Sequence, residues 1–196
     1  MPELEACPWC GADPLYRAYH DEEWGVPCRD EHRLFEFLVL EGMQAGLAWI
    51  TILRKRPAFR AAFADFDAAH VARFDEGDRA RLLSDAGIVR NRAKIDAAIT
   101  AARIVLDLRE HGDGLTGRLW SHVDGEAIQH RYRRLEDVPA SDAVAERMSR
   151  DLRSLGMKFV GPTICYALMQ AAGLVNDHLI DCPRHTVCAA LARSGD

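Results

Sequence analysis

Apolar residues recur along most of this chain at spacings of three and four, the period of a helix with one buried face. The clearest stripe is Ile95, Ile99, Ala102, Val105 and Leu108. A second runs through Val144, Met148, Leu152 and Leu155, with Ser141 as N-cap and Gly156 as stop. Asp30 is placed to cap a helix through Leu34, Phe35 and Leu38, and Gln44 to Phe63 and Arg79 to Ala86 also read as helical. Pro162 opens a further apolar helix that closes at Gly173. The tail from Pro183 to Asp196 reads as a short helix. Strand signals are scarce: Val123 to Glu126 suggests a tight turn with weak flanks. His111 to Pro139 carries the least pattern and reads as a connection between two groups of helices. The prediction is an all-α fold, a single domain over residues 1–196 in two helical lobes whose chain ends pack together.

Length and composition narrow the classes. A chain of 196 residues can bury a core without disulfides. With 48% hydrophobic and 28% charged residues it is not a disordered chain. Lys+Arg number 25 against 30 Asp+Glu, a formal charge of -5, so any nucleic-acid site has to be a local patch on an acidic body. The opening Met1-Pro2-Glu3-Leu4-Glu5 is acidic and lacks the apolar run of a signal peptide. The longest apolar stretch, Phe159 to Val175, is short for a membrane span and contains Gly161, Pro162, Thr163 and Gln170. The expectation is a soluble cytoplasmic monomer with no membrane partner. Six cysteines in a reducing compartment then point to metal binding, catalysis or burial.

Cys7-Pro8-Trp9-Cys10-Gly11 resembles a thioredoxin active site, but the strand-then-helix context that such a site needs is missing. Metal ligation is a second reading. His178 and Cys182 are four apart and share one side of a helical turn, and His20 with Cys7 or Cys10 lies at the other end of the chain. Two thiolates and two imidazoles suit structural zinc. Spacing alone equally allows a satisfied histidine and a buried thiol, and His185 and Cys188 compete as ligands.

Leu152 to His178 is the most informative stretch. One helix ends at Gly156, Met157-Lys158-Phe159-Val160-Gly161 makes a tight connection, and Pro162 opens the next helix. Gly161 permits close approach, the free N–H groups of the new helix can face an anion, and Lys158 adds positive charge. Those are the parts of a sequence-independent phosphate grip, although an ordinary helical hairpin has the same outline. Arg54-Lys55-Arg56 and Arg90-Asn91-Arg92 with Lys94 are further candidate phosphate contacts.

Leu155 to Thr163, followed by Gln170-Ala171-Ala172-Gly173-Leu174-Val175-Asn176-Asp177-His178, resembles the helix-hairpin-helix of DNA glycosylases. More narrowly, the chain is similar to the 3-methyladenine DNA glycosylase I family. Asp13-Pro14-Leu15-Tyr16, Tyr19-His20-Asp21, Glu23-Trp24-Gly25-Val26-Pro27, Leu40-Glu41-Gly42, Gln44-Ala45-Gly46-Leu47 with Trp49, and Asp85-Ala86-Gly87-Ile88 with Arg90 and Lys94 carry that likeness. It spans about Cys7 to Cys182, with the helix-hairpin-helix over about 142–173. The resemblance implies a monofunctional enzyme with no lyase step, which flips 3-methyladenine out of alkylated double-stranded DNA and cleaves its N-glycosidic bond. It implies a structural zinc on Cys7, His20, His178 and Cys182, remote from the reaction. It gives Glu41 the catalytic place, as the group that recognises the cationic base, and gives Tyr16, Tyr19, Trp49 and Trp9 the base-binding walls. Gly46 and Leu47 become a wedge into the duplex, and Lys158, Gly161 and Arg92 its contacts to DNA. Asn176 stands where wider relatives carry a catalytic Asp, which fits a substrate that leaves easily. The alternative function is a zinc-stabilised helix-hairpin-helix DNA-binding module without catalysis.

Overall fold

The computed structural model describes residues 6–194. The acidic opening Met1–Glu5 and the last two residues of the predicted tail helix lie outside the described residues. Among the described residues ten α-helices follow one another: α1 Pro14–Glu22, α2 Glu31–Gln44, α3 Trp49–Ala62, α4 Ala68–Val71, α5 Glu76–Ser84, α6 Arg92–His111, α7 Gly114–Trp120, α8 Ala143–Ser154, α9 Pro162–Ala171 and α10 Pro183–Ser194. A minimal parallel pair, β1 Ile128–Gln129 and β2 Val175–Asn176, sits among them. None of the described helices is long and apolar enough to cross a membrane.

α2 is the axis of the molecule. Every residue from Leu34 to Met43 is buried, and α3, α6, α7 and α9 pack around it. A helix buried on all sides has to be apolar nearly all round, as Leu34-Phe35 and Phe37-Leu38-Val39-Leu40 are. Two carboxylates interrupt that run. Glu36 is compensated: Arg56 and Arg60 reach its oxygens at 2.8 and 2.7 Å, and Arg56 also binds Glu23 at 2.7 Å. Burial alone would raise the Glu36 pKa, but the two guanidiniums outweigh it and hold the group below its ordinary value. Glu41 has no such partner.

The caps explain where helices begin, and they correct three boundaries. Asp30 caps α2 as expected, its carboxylate accepting from the Arg33 N–H at 2.9 Å. α8 is capped by Asp142, not Ser141; the Asp142 carboxylate accepts from the Ala145 N–H at 2.7 Å, and a carboxylate interacts more strongly there than a hydroxyl. α5 begins earlier than the apolar pattern suggested, because Asp75 and Asp78 form a capping box. The single helix expected over Gln44 to Phe63 is broken before α3 by a turn at Gly46, whose φ of 84° only glycine adopts freely.

The unpatterned stretch from His111 to Pro139 is more than a connection. Leu115, Leu119 and Trp120 of α7 are buried, and the Trp120 indole donates to the Cys28 carbonyl at 2.9 Å. Ile128 and Gln129 pair with Val175 and Asn176, tying this stretch to the segment after α9. A two-residue bridge offers no alternation long enough to read from sequence.

Three residues expected to face phosphate are instead used inside the fold. Lys94 is buried and donates to the Met43 and Ala45 carbonyls at 2.8 and 2.7 Å, closing the C-terminal end of α2. Lys55 donates to the Ala86 and Gly87 carbonyls, and Arg56 serves Glu36 and Glu23. Lys94→Ala removes two charge-assisted bonds and is expected to destabilise the protein by about 1.5–3 kcal/mol in urea melts. Arg90→Ala, which alters an exposed residue with no such bond, should change the melt by less than about 0.5 kcal/mol.

Candidate base pocket and metal centre

Between the N-terminal arm, α2, α3 and α9 lies a cavity of about 350 Å³. Trp9, Tyr16, Tyr19, Trp24 and Trp49 form its aromatic walls, and Leu135 and Val138 of the unpatterned stretch close another side. The rings support one another: Trp9 meets Tyr16 at 5.1 Å and Trp24 at 4.9 Å edge to face, and Tyr19 lies 5.5 Å from Trp49. The four aromatic residues expected at the base therefore converge on one cavity.

Glu41 enters this cavity from α2. Its neighbour Gly42 lets the connection between α8 and α9 dock: a Cβ at Gly42 would stand 3.4 Å from the Phe159 Cβ. The Glu41 side chain is 4% exposed and makes no hydrogen bond among the described residues. Burial alone pushes its pKa up to about 8. Burial therefore favours the neutral acid form of Glu41 near neutral pH.

Two polar residues on the opposite wall escaped the sequence reading. Asp177 is 2% exposed and lines the cavity with Gln170. Its carboxylate accepts from His130 at 2.6 Å, Tyr166 at 2.7 Å and Gln170 at 2.8 Å. These partners lie at sequence separations of 47, 11 and 7, so no local motif announced them. Asn176 turns the other way. Its amide donates to Gln129 Oε1 and the His185 carbonyl at 2.8 and 3.0 Å, which pins β2 to β1 and to α10.

Behind the Trp9 wall, Cys7, His20, His178 and Cys182 bring their ligand atoms within 4.8 Å of one another, and all four are buried. This cluster can hold a metal ion. His20 Nδ1 donates to Asp21 at 2.7 Å, which turns Nε2 toward the cluster, where it also accepts from the Cys7 backbone N–H at 3.4 Å. His178 is set the opposite way: Nε2 donates to the Trp24 carbonyl at 2.9 Å and Nδ1 faces the sulfurs. Cys182 is held well below the usual thiol range chiefly by its contact with Cys7, with His178 and His20 adding to the effect, and the Cys7 contact raises Cys7 in turn. Cys10 stands outside the cluster, its thiol donating to the Cys7 carbonyl. His185 is bound to the His130 carbonyl at 2.8 Å, and Cys188 lies beside Arg184. The cluster is not remote from the pocket. Cys7 belongs to both, and the cavity residue Leu179 donates its N–H to the Cys7 sulfur, because the chain ends that carry the cluster also make the pocket wall.

The nucleic-acid candidates lie on the outer surface. Leu47 is 40% exposed at the tip of the Gly46 turn, which Gln44 braces by donating to the Leu47 carbonyl at 2.5 Å. Lys158 is exposed, and Gly161 is the N-cap of α9 without a side-chain cap. A Cβ at Gly161 would meet the Arg153 guanidinium at 3.4 Å, so Arg153 adds a cation that sequence reading missed. Arg92 is paired with Glu76 at 2.9 Å. Asn91 caps α6, and Arg90 is exposed beside it.

The profile of the methyladenine glycosylase family matches residues 9–185 of this sequence. The chain belongs to that family. It is 48% identical over 179 residues to DNA-3-methyladenine glycosylase 1 of Escherichia coli (strain K12), covering 91% of this chain and 96% of the relative. A crystal structure of 3-methyladenine DNA glycosylase I superimposes with a TM-score of 0.90 at 46% identity, covering 91% of this chain and 98% of that one. A variant of 3-methyladenine DNA glycosylase I in complex with 3-methyladenine gives a TM-score of 0.88 at 37% identity, covering 90% of this chain and 95% of that one. The mostly helical architecture is thus shared with the methyladenine glycosylases, and the family match takes in the aromatic cavity from Trp9 onward together with His20, His178 and Cys182 of the cluster.

The raised Glu41 pKa has a signed consequence for the ligand-free glycosylase. The unfolded carboxyl ionises near 4.5, whereas the folded one stays protonated to about 8. Between those values the folded state binds the extra proton, so stability falls as pH rises. Glu41→Gln removes this dependence. The variant is expected to gain about 2–4 kcal/mol on the wild type between about pH 5 and pH 8, read from urea melts at both ends. Parallel stability curves would contradict the burial argument.

Proposed function

We propose that this methyladenine glycosylase excises 3-methyladenine from alkylated double-stranded DNA by hydrolysing the N-glycosidic bond, as a cytoplasmic monomer without a lyase step. The observation that carries this reading is the lone Glu41 carboxyl, buried without a partner in an aromatic cavity. Alkylation at N3 makes adenine a cation and weakens its bond to the sugar. A flipped cationic base fits between the aromatic faces, which attract positive charge. Its charge lowers the Glu41 pKa so that the carboxyl releases its proton to solvent, and the carboxylate can then accept from the exocyclic amine. The base leaves as a neutral molecule, so the protein has little leaving-group protonation to do. Its task is to select the cation and tolerate positive charge on the sugar as the bond breaks. Simple hydrolysis is supported by the lysines: the chain has three, Lys55, Lys94 and Lys158, and among the described residues none lines the cavity.

For DNA contact we assign the α8–α9 unit as a helix-hairpin-helix. Lys158, the Gly161 N–H region and Arg153 face phosphate there, Arg92 exchanges its Glu76 partner for phosphate, and Gly46-Leu47 enters the duplex. Leu47→Ala should slow base release from duplex more than from single strands. Equal slowing would remove its wedge role.

For the Cys/His cluster we assign structural zinc. Tetrahedral zinc with bonds of about 2.0–2.1 Å to nitrogen and 2.3 Å to sulfur sets edges of about 3.3 Å between nitrogens and 3.6 Å between nitrogen and sulfur. The observed separations are 3.2 Å for His20–His178 and 3.6–3.7 Å for three of the four sulfur–imidazole pairs, with all four ligand atoms within 4.8 Å of one another, which supports that metal. When bound, the ion supplies a cross-link between the chain ends. Elemental analysis is expected to give about one zinc per chain, lost in Cys7→Ser and kept in Cys10→Ser. A zinc-free protein purified without chelator would sink the assignment.

The decisive test of the activity is mass analysis of bases released from methylated duplex DNA. Release of 3-methyladenine is expected, with a loss of at least roughly tenfold in Glu41→Gln. DNA binding with no base release would leave only a zinc-stabilised binding module.

A further inference from the structure

The cavity has a second polar reader besides Glu41. Asp177 presents a carboxylate whose side chain is fully buried, and a carboxylate can only accept. Gln170 meets its Oδ2 at 2.8 Å, the same atom that receives the Tyr166 hydroxyl. Turned over, the Gln170 amide would set its oxygen against that carboxylate, two acceptors at hydrogen-bond distance with no proton between them. The amide is therefore held one way round, with its nitrogen committed to Asp177. Its oxygen makes no hydrogen bond among the described residues, and Gln170 lines the cavity. The position is also anchored through the main chain, since the Gln170 carbonyl accepts from the Gly25 N–H at 2.9 Å.

We propose that Gln170, fixed in orientation by Asp177, is a specificity residue that reads the 6-position of the flipped purine: its amide oxygen accepts from a 6-amino group and rejects a 6-oxo group. This rests on the base-excision reading above and extends it. Glu41 cannot make that distinction alone. A carboxyl that is an acid in the empty pocket and a carboxylate beside a cation can donate or accept as the occasion requires. Gln170 has no such freedom, because its donor side is spent. A 6-oxo purine would bring lone pair against lone pair and leave two buried acceptors without a proton. A site built to hydrogen-bond one group discriminates strongly against the group that cannot reply. Asp177 is then a positioning residue. Its bonds to His130 and Tyr166 keep the carboxylate in place when Gln170 takes up a ligand.

The test is a binding titration of free 3-methyladenine and 3-methylhypoxanthine, followed by the fluorescence of the cavity tryptophans. These bases differ at the 6-position and the adjacent ring nitrogen. Wild type is expected to favour the 6-amino base by roughly ten- to a hundredfold. Gln170→Leu should abolish that preference, chiefly by weakening the 6-amino base. Asp177→Asn, with metal content verified because His178 is adjacent, should erode it differently. The freed amide can present its nitrogen, so affinity for the 6-oxo base rises. A wild type without preference, or a Gln170→Leu variant that keeps the ratio while both affinities fall together, would overturn the proposal. Binding is read without catalysis, so an absence of base release from DNA would count against the activity and not against this assignment.

Discussion

One buried helix carries two carboxylates with opposite fates, and that contrast organises the molecule. Glu36 and Glu41 both lie on α2 inside the core, where an ionised carboxylate is costly unless it is paired. Glu36 is ionised because Arg56 and Arg60 bind it. Glu41 is left without a cation, and the fold tolerates the cost by keeping it protonated. A fold that compensates one of two buried acids and leaves the other bare has reserved the second for something absent from the chain itself. In a methyladenine glycosylase the obvious claimant is a positively charged base.

The surrounding parts shape the cavity that Glu41 enters. Trp9 and its neighbours come from the N-terminal arm, which has little core of its own. The Cys/His cluster ties the arm to the segment after α9, and Gly25 permits this by leaving room for His178: a Cβ there would lie 3.0 Å from the ring. Cys7 belongs to both cluster and cavity, and the cavity residue Leu179 donates its N–H to the Cys7 sulfur, so a bound metal would stabilise the pocket wall and the chain ends together. On the other side, Phe159 seats on Gly42 one residue from Glu41, and Lys94 closes the end of α2 beneath the Leu47 turn. The surface that would grip DNA is thus built directly onto the helix that carries the buried acid.

The sequence was most legible where chemistry is local. Stripes of apolar residues located α6, α8 and α9, and family motifs singled out Glu41, the aromatic walls and the four cluster residues. It was least legible where partners are distant. Lys55, Arg56 and Lys94 looked like surface cations because nothing nearby in sequence announces carbonyls 31 and 51 residues away or a carboxylate 20 residues away. Asp177 read as a neighbour of His178, yet two donors from α9 and His130 from a distant stretch hold it in the pocket wall. The stretch from His111 to Pro139 seemed a mere connection because its elements, α7 and a two-residue bridge, are too short to show a period. Ser141 and Asp142 are adjacent good caps, and only geometry separates them.

The measurement that bears most directly on the central claim is the number of protons exchanged when a positively charged ligand enters the pocket. Calorimetric titration with a methylated purine nucleoside of fixed positive charge, repeated in buffers of different ionisation enthalpy, counts them. If Glu41 waits as a neutral acid and gives up its proton to meet the cation, wild type releases about one proton near pH 6.5 and almost none above about pH 9, while Glu41→Gln releases none at either. Proton release that is absent in wild type, or undiminished in Glu41→Gln, would mean that the buried carboxyl is not the group that answers the charge.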